Sequence, residues 1–273
     1  MIFDLTGRTA LVTGGARGLG RGMTEGLLAA GADVITVQRG PVPDDLDRYA
    51  AESGLTLDSI AVDLADLEQV EQMISGLLDV RQVDILINNA GLQHRDDSVD
   101  FPLADFDRVL QVNLRVVFRL CQLLGRPMLE RGYGKIINIA SMVSWSGGYR
   151  VPAYAASKGA VAQLTKALCN EWAGQGVNVN AIAPGYMDTE MNEALIADAE
   201  RNEQISARIP AGRWALLPTS PALPSSWPHP LPTTSTERSS RSTAVGWPGD
   251  HPRAADLPVP LIRAGARRSV LNP

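Results

Sequence analysis

Tyr154 and Lys158 stand four residues apart in the string YAASK, and Ser141 lies thirteen residues upstream. A phenol, an ammonium and a hydroxyl are the groups wanted around an alcohol or carbonyl that loses or gains a proton. On a helix, side chains four apart share a face, so the Lys158 ammonium can approach the Tyr154 phenol. A free tyrosine ionises near pH 10; bringing it toward neutrality takes about 3 units, or roughly 4 kcal/mol. Nearby positive charge can supply that. A phenol tuned this way exchanges a proton with an alcohol oxygen. Tyr-x-x-x-Lys by itself is equally an aromatic and a solvated charge on a helix surface, and its surroundings decide between the two.

Those surroundings begin with RTALVTGGARGLGRGMTEGLLAAGADVITVQRG. Residues 9–13 are a short apolar, β-branched run that predicts a buried strand. Gly14, Gly18 and Gly20 follow. A helical pattern then runs through Met23, Leu27 and Leu28, Gly31 ends it, and residues 34–37 form a second strand. Strand, glycine turn, helix, strand is the context of a dinucleotide-phosphate site. The spacing is G-x-x-x-G-x-G, but the physics is unchanged. Backbone amides at a helix N-terminus face a pyrophosphate, and bulkier residues would block it.

Further along, 57–62, 84–88, 133–140 and 177–183 read as strands, and 66–79, 106–131 and 153–173 as helices. Asp66 and Gln69 are spaced as a capping box. This alternation predicts an α/β fold, a Rossmann-like doubly wound parallel sheet with helices on both faces and right-handed crossovers. Ligands then bind at the carboxyl ends of the strands. The glycine turn, NNAG (88–91), Ser141 and Pro184-Gly185 all fall at such ends, so they should converge.

Composition agrees with one α/β domain: 45% hydrophobic residues suffice for a core. No apolar run is long enough for a membrane span and the first residues do not read as a signal peptide, so a cytoplasmic location is expected. Cys121 and Cys169 read as ordinary core thiols. A net charge of −5 argues against nucleic acid as a partner. Three scattered histidines make no metal cluster.

In order and spacing, TGGARGLG (13–20), Asp63-Leu64, NNAG (88–91), Asn113 in QVNL, Ser141 in INIAS, YAASK (154–158) and Pro184-Gly185 with Thr189 resemble the short-chain dehydrogenase/reductase family. The resemblance runs over about residues 3–215. It implies that Ser141 hydrogen-bonds the substrate oxygen and that Tyr154 is the acid/base. Lys158 would hold the nicotinamide ribose and lower the Tyr154 pKa. Asn113 would place a water in a proton relay; its plainer reading is a helix residue bonded to a neighbouring strand. The resemblance puts Gly14, Arg17, Gly18, Leu19 and Gly20 at the cofactor, and Asn89, Ala90 and Gly91 beside its ribose and adenine. Asp63, with Leu64, would reach the adenine amino group, or Asp63 would simply cap the next helix. Pro184, Gly185 and Thr189 would flank the nicotinamide.

Either NAD or NADP remains open as the cofactor. The second strand ends in Val37-Gln38-Arg39 with no acid to repel a 2′-phosphate, and Arg39 and Arg17 suit one. More narrowly, the stretches 134–158, 170–195 and 208–214 and the string NNAGLQHRDDSVDF resemble one branch of the family. That branch contains 2-deoxy-D-gluconate 3-dehydrogenase and 2-dehydro-3-deoxy-D-gluconate 5-dehydrogenase, and it is usually NAD-linked. It implies hydride transfer between NAD(P) and a secondary alcohol or ketone of a sugar acid. Arg95 and Arg150 are then candidates to grip the carboxylate, and His94 and Trp145 to line the pocket. A 3-oxoacyl or polyol reductase of the same family and an inactive product are the alternatives. The resemblance further implies a homo-oligomer.

The resemblance stops near Leu217. Residues 218–273 hold 11 of the 18 prolines and 13 Ser/Thr, a composition expected to be disordered. The expected organisation is therefore a catalytic domain over 1–217 and a non-family tail over 218–273, with the last helix and strand of the sheet lacking and a tetramer doubtful. A reading-frame shift near residues 216–218 accounts for the tail. Taking the last base of each codon with the first two of the next, 219–229 permit DLAGPAVFLAS and 244–250 permit GGWLAR and a stop. The 22 arginines against 3 lysines indicate GC-rich coding, which tends to leave alternative frames open. The alternative is a Pro-rich linker; the DNA sequence across codons 210–225 distinguishes the two.

Overall fold

The structure, a computed structural model, describes residues 4–216 and the backbone of Ser240–Arg241. The chain order is β1 (Thr9–Thr13), α1 (Gly18–Ala29), β2 (Asp33–Gln38), α2 (Asp44–Glu52), β3 (Leu57–Ala61), α3 (Leu67–Leu78), β4 (Ile85–Asn88), α4 (Leu103–Leu110) and α5 (Val116–Glu130). Then come β5 (Gly134–Ile139), α6 (Val143–Ser146), α7 (Pro152–Trp172), β6 (Val177–Ala183), α8 (Glu193–Ala197), α9 (Ala199–Ser206) and a two-residue β7 (Ser240–Arg241). All pairings are parallel, in the order β3-β2-β1-β4-β5-β6-β7. The order reverses between β1 and β4, and a crevice forms at the carboxyl ends beside that switch.

Alternation along the strands supplies two cores. In β1, Leu11 faces Val70, Ile74, Leu120, Leu124 and Trp172, from α3, α5 and α7. Ala10 and Val12 face Met23, Leu28, Leu46 and Ala50, from α1 and α2. Because both faces are covered at the centre of the sheet, β1 and β4 are buried almost throughout, whereas the edge strand β3 has no buried residue. Burying each such side chain contributes about 1.5–3 kcal/mol. Packing of α5 on α7 is close: a Cβ on Gly125 would lie 2.9 Å from the Trp172 ring.

Three local features differ from expectation. Asp66 caps α3 by accepting from the amides of Glu68 and Gln69, but the Gln69 side chain donates to Asp66 Oδ2 rather than to the cap's backbone, so the box is half formed. The helix expected over 106–131 starts at Leu103 and is interrupted by a π turn over Gln111–Arg115. Asn113, wholly buried in that turn, binds the Leu92 backbone and Ser157, which favours the widened turn over a regular one. After β6, Ile205, Ile209 and Trp214 pack with Tyr186, Leu195 and Ile196 into a small third cluster.

β7 pairs with β6 through Ile182↔Ser240 and Ala183↔Arg241. A two-residue strand thus stands at the edge where none was expected, because even a short backbone run can use the open hydrogen bonds of β6. The other expectations for 218–273 lie outside the described residues. No described helix is long and apolar enough to cross a membrane.

Candidate active site

α7 carries Tyr154, Ser157 and Lys158, with Pro152 in its first turn, where the missing N–H costs nothing. Lys158 is 4% exposed; its Nζ donates to the Ile139 carbonyl at the end of β5, at 2.6 Å. Burial pushes the Lys158 pKa down to about 8. The same Nζ stands 5.7 Å from the Tyr154 ring centroid. Desolvation pushes the Tyr154 phenol up, and a hydrogen bond with Ser141 and the charge of Arg95 partly offset this. The lowering influences on the phenol are therefore Ser141 and Arg95, not Lys158 as expected from the four-residue spacing. The spacing does bring the two side chains together, but it cannot show that the ammonium sits over the ring and binds a carbonyl.

Ser141 follows β5. Its Oγ accepts from the Val143 amide at 3.4 Å, and its own amide donates to Ser144 Oγ at 3.3 Å. The Ser144 hydroxyl donates to the Lys158 carbonyl at 2.8 Å, tying the Ser141 loop to α7. On the other side, Asn113 Oδ1 accepts from the Leu92 amide, while Nδ2 donates to the Leu92 carbonyl (2.9 Å) and to Ser157 Oγ (3.1 Å). Ser144 and Ser157 were not singled out from the sequence; a serine within SMVS or YAASK carries no pattern that reveals whose backbone it will bind.

The glycine turn lies at the same end of the sheet. Gly14 holds φ +65°, the left-handed region that favours glycine. A Cβ on Gly20 would meet the Gly14 carbonyl at 2.0 Å, so only glycine lets α1 start this close to the turn. Asn89 Nδ2 donates to the carbonyls of Thr13 and Gly14, bracing the turn from β4. Ala90 donates its amide to Thr13 Oγ1, and Gly91 is so placed that a Cβ would lie 3.6 Å from Lys158 Nζ. Gly18 opens α1 and Leu19 packs into the α1–α2 core. Thr189 is the nearest neighbour a Gly18 side chain would have, at 3.8 Å. The Pro184 carbonyl accepts from the Met142 amide, and Gly185 follows it, so the loops after β5 and β6 meet.

At the tip of β2, Gln38 Nε2 binds Thr36 and Ser59, while its Oε1 is buried without a partner. Arg39 is exposed beyond it. Arg17 reaches across the turn to Glu190, at 2.6 Å. Asp63 Oδ1 accepts from the Ala65 amide at 3.0 Å in the turn before α3 and does not cap that helix, whose cap is Asp66; Leu64 is in the core. Among the described residues no cluster of ligands could hold a metal.

The expected substrate residues separate. Arg150 holds φ +60° and turns its guanidinium to Asp97 (3.0 Å) and Asp96 (3.6 Å). It is thus occupied by two acids, a pairing between loops that its position four before Tyr154 did not reveal. Among the described residues Arg95 donates to the Gln93 amide oxygen, at 3.3 Å. Burial of its guanidinium and the charge of Arg201 push its pKa down, and Tyr186 and Tyr154 act the other way. His94 packs edge-on against Phe101 (5.3 Å) and lies 3.7 Å from Asp105. Trp145 is half exposed on α6.

A desolvated phenol backed by a buried amine, facing a glycine-walled turn across a parallel sheet, suits a protein that moves protons while a dinucleotide carries hydride. The chain belongs to the short chain dehydrogenase family, which matches residues 8–200. It is 48% identical over 212 residues to a 2-dehydro-3-deoxy-D-gluconate 5-dehydrogenase of Bacillus subtilis, covering 78% of this chain and 84% of that one. Among solved structures it resembles a Beutenbergia cavernae protein described as an NAD(P)-dependent gluconate 5-dehydrogenase, with bound NADP at low occupancy. The match has TM-score 0.76 and 46% identity, over 79% of this chain and 87% of that one. An Agrobacterium tumefaciens protein described as a 2-deoxy-D-gluconate 3-dehydrogenase, with bound NADP, matches at TM-score 0.73 and 47% identity, over 78% and 85%.

Proposed function

We propose that this chain is an NAD(P)-dependent oxidoreductase that interconverts a secondary alcohol and a ketone on a sugar acid of the gluconate type. The observation that carries this reading is the Tyr154 phenol, hydrogen-bonded with Ser141 and backed by the buried Lys158 amine, at the sheet end that also holds the glycine turn. The residues fit a dinucleotide. Gly14, Gly18 and Gly20 leave room for a pyrophosphate at the start of α1, and Gly91 opens the space beside Lys158. The unpartnered Gln38 Oε1 suits a ribose hydroxyl, and Arg39 suits a 2′-phosphate, so both cofactors are accommodated. Asn89, Ala90, Pro184, Gly185 and Thr189 complete the walls. The related structures with NADP support acceptance of the phosphorylated form.

When bound, the nicotinamide supplies the hydride acceptor or donor. In oxidation, ionised Tyr154 takes the proton from the substrate hydroxyl as the C–H hydrogen leaves with its electron pair. In reduction, the neutral phenol returns that proton to the carbonyl oxygen. Ser141 holds the same oxygen by a hydrogen bond. Lys158, held by the Ile139 carbonyl, would donate to a ribose hydroxyl of the bound cofactor. With both ends of the Asn113 amide engaged, a relay water would take the residue's backbone carbonyl in the π turn. Residues 1–217 form this catalytic unit.

A panel of sugar acids, polyols and 3-oxoacyl thioesters, scored by absorbance of the reduced nicotinamide, tests the reading. The expected result is turnover of a gluconate-type acid at a kcat/KM well above that of any thioester or uncharged polyol. Preference for a thioester would reject the substrate class.

A further inference from the structure

Three arginines stand near the mouth of the site, and the acids around them are shared unevenly. Arg150 takes both Asp96 and Asp97. Arg95, next in sequence to Asp96, has only the neutral Gln93 side chain. Arg201, on α9, lies 4.9 Å from the centroid of the Tyr149 ring, and its Nη1 donates to the neutral Gln204 Oε1 at 2.6 Å. Among the described residues neither Arg95 nor Arg201 has a carboxylate within ion-pair distance.

The two belong to one space. The Asp96 amide donates to the Arg150 carbonyl at 3.1 Å, which seats the loop bearing Arg95 against the loop bearing Tyr149. Arg201 covers that same Tyr149 ring from the lobe beyond β6. Arg95 feels Arg201 as a repulsion and has Tyr154 and Tyr186 as neighbours. Like charges held together cost free energy unless an anion lies between them. Asp96 and Asp97, the acids beside Arg95, are held by Arg150, while near Arg201 the Asp198 carboxylate caps α9 and Glu200 accepts from Gln204.

We propose that Arg201 is a specificity-determining residue, which with Arg95 forms a two-guanidinium clamp for the substrate carboxylate beside Tyr154. The proposal rests on the sugar-acid reading above. Two planar forks, one from the loop after β4 and one from α9, grip one carboxylate bidentately. Because Arg201 rides on α9, the substrate's charge also draws the lobe beyond β6 toward the loop after β4.

The test uses the full chain with NADP(H). It compares kcat/KM for a sugar acid with that for its uncharged carboxamide, and measures D-gluconate affinity through the fluorescence of bound NADPH. In Arg201→Gln the acid-to-amide ratio falls and the D-gluconate Kd rises, each about 10–100-fold, the scale of charge-assisted hydrogen bonds. Arg201→Lys, which keeps the charge and loses the fork, falls between. NADPH affinity stays within about twofold in both variants, showing that they fold and that the effect is on the carboxylate. An unchanged ratio in both variants overturns the clamp and leaves the sugar-acid reading standing. If the wild-type chain turns over no sugar acid, that reading fails by itself. D-gluconate affinity then judges the clamp: equal affinity in wild type and Arg201→Gln, or none in wild type, overturns it.

Discussion

Tyr154 is asked to give and take a proton from an environment that favours its neutral form. Burial raises the phenol, and Ser141 and Arg95 pull it back. Tyr154→Phe should lower turnover at least about a thousandfold, within the range of a lost general acid/base. It should leave NADPH affinity nearly unchanged, read by nicotinamide fluorescence; retained turnover would remove the phenol from the mechanism. Ser141→Ala should move the alkaline rise of the oxidation rate to higher pH, because it deletes a hydrogen bond that favours the phenolate. A profile shifted to lower pH would contradict that. For Lys158 the folded pKa, about 8, lies below the ordinary 10.5. Between these values the unfolded chain binds more protons, so this group adds stability as pH rises and costs most below pH 8. Wild type should gain about 2 kcal/mol relative to Lys158→Met between about pH 7 and 9.5, measured by urea unfolding. A flat difference would mean that the ammonium is not desolvated.

At the scale of elements, the site depends on ties between loops. Ser144 is the only hydroxyl among the described residues recorded as bridging the Ser141 amide and the Lys158 carbonyl, so it sets the distance between the β5 loop and α7. Ser144→Ala should lower kcat about tenfold, the equivalent of roughly one hydrogen bond, with cofactor affinity retained. An unchanged kcat would show that the loop is held by other contacts. The π turn around Asn113 belongs to this scale too. QVNL reads as ordinary helix because its apolar period is unbroken; the widening follows from a buried amide whose partners, Leu92 and Ser157, come from elsewhere in the chain. By contrast, the β1–turn–α1–β2 unit was legible residue by residue, since strand period, glycine positions and helix start are all local signals.

For the whole molecule, cofactor binding and folding are linked. A ligand that binds only the folded chain stabilises it by about 2.7 kcal/mol at one hundred times its Kd. NADP(H) should therefore raise the unfolding midpoint by several degrees, on the order of 5–10 °C for a chain of this size, and NAD(H) by a comparable amount at matched saturation. A scan with neither shift would mean that the sheet's switch-point crevice does not bind a dinucleotide in this chain.

The sequence by itself determined the six parallel strands from β1 to β6, the glycine turn and, through the motifs that accompany YAASK, the choice of Ser141, Tyr154 and Lys158, because strand period and glycine position are local signals; α2, α6, α8 and α9 carried no such signal. Tertiary structure alone decided the charge arrangement: Arg150 bound to Asp96 and Asp97, Arg17 to Glu190, Lys158 over the Tyr154 ring, and Arg201 brought to the loop of Arg95. Electrostatic partners are chosen by distance and desolvation in space, and neither quantity exists until remote segments of the chain have packed together.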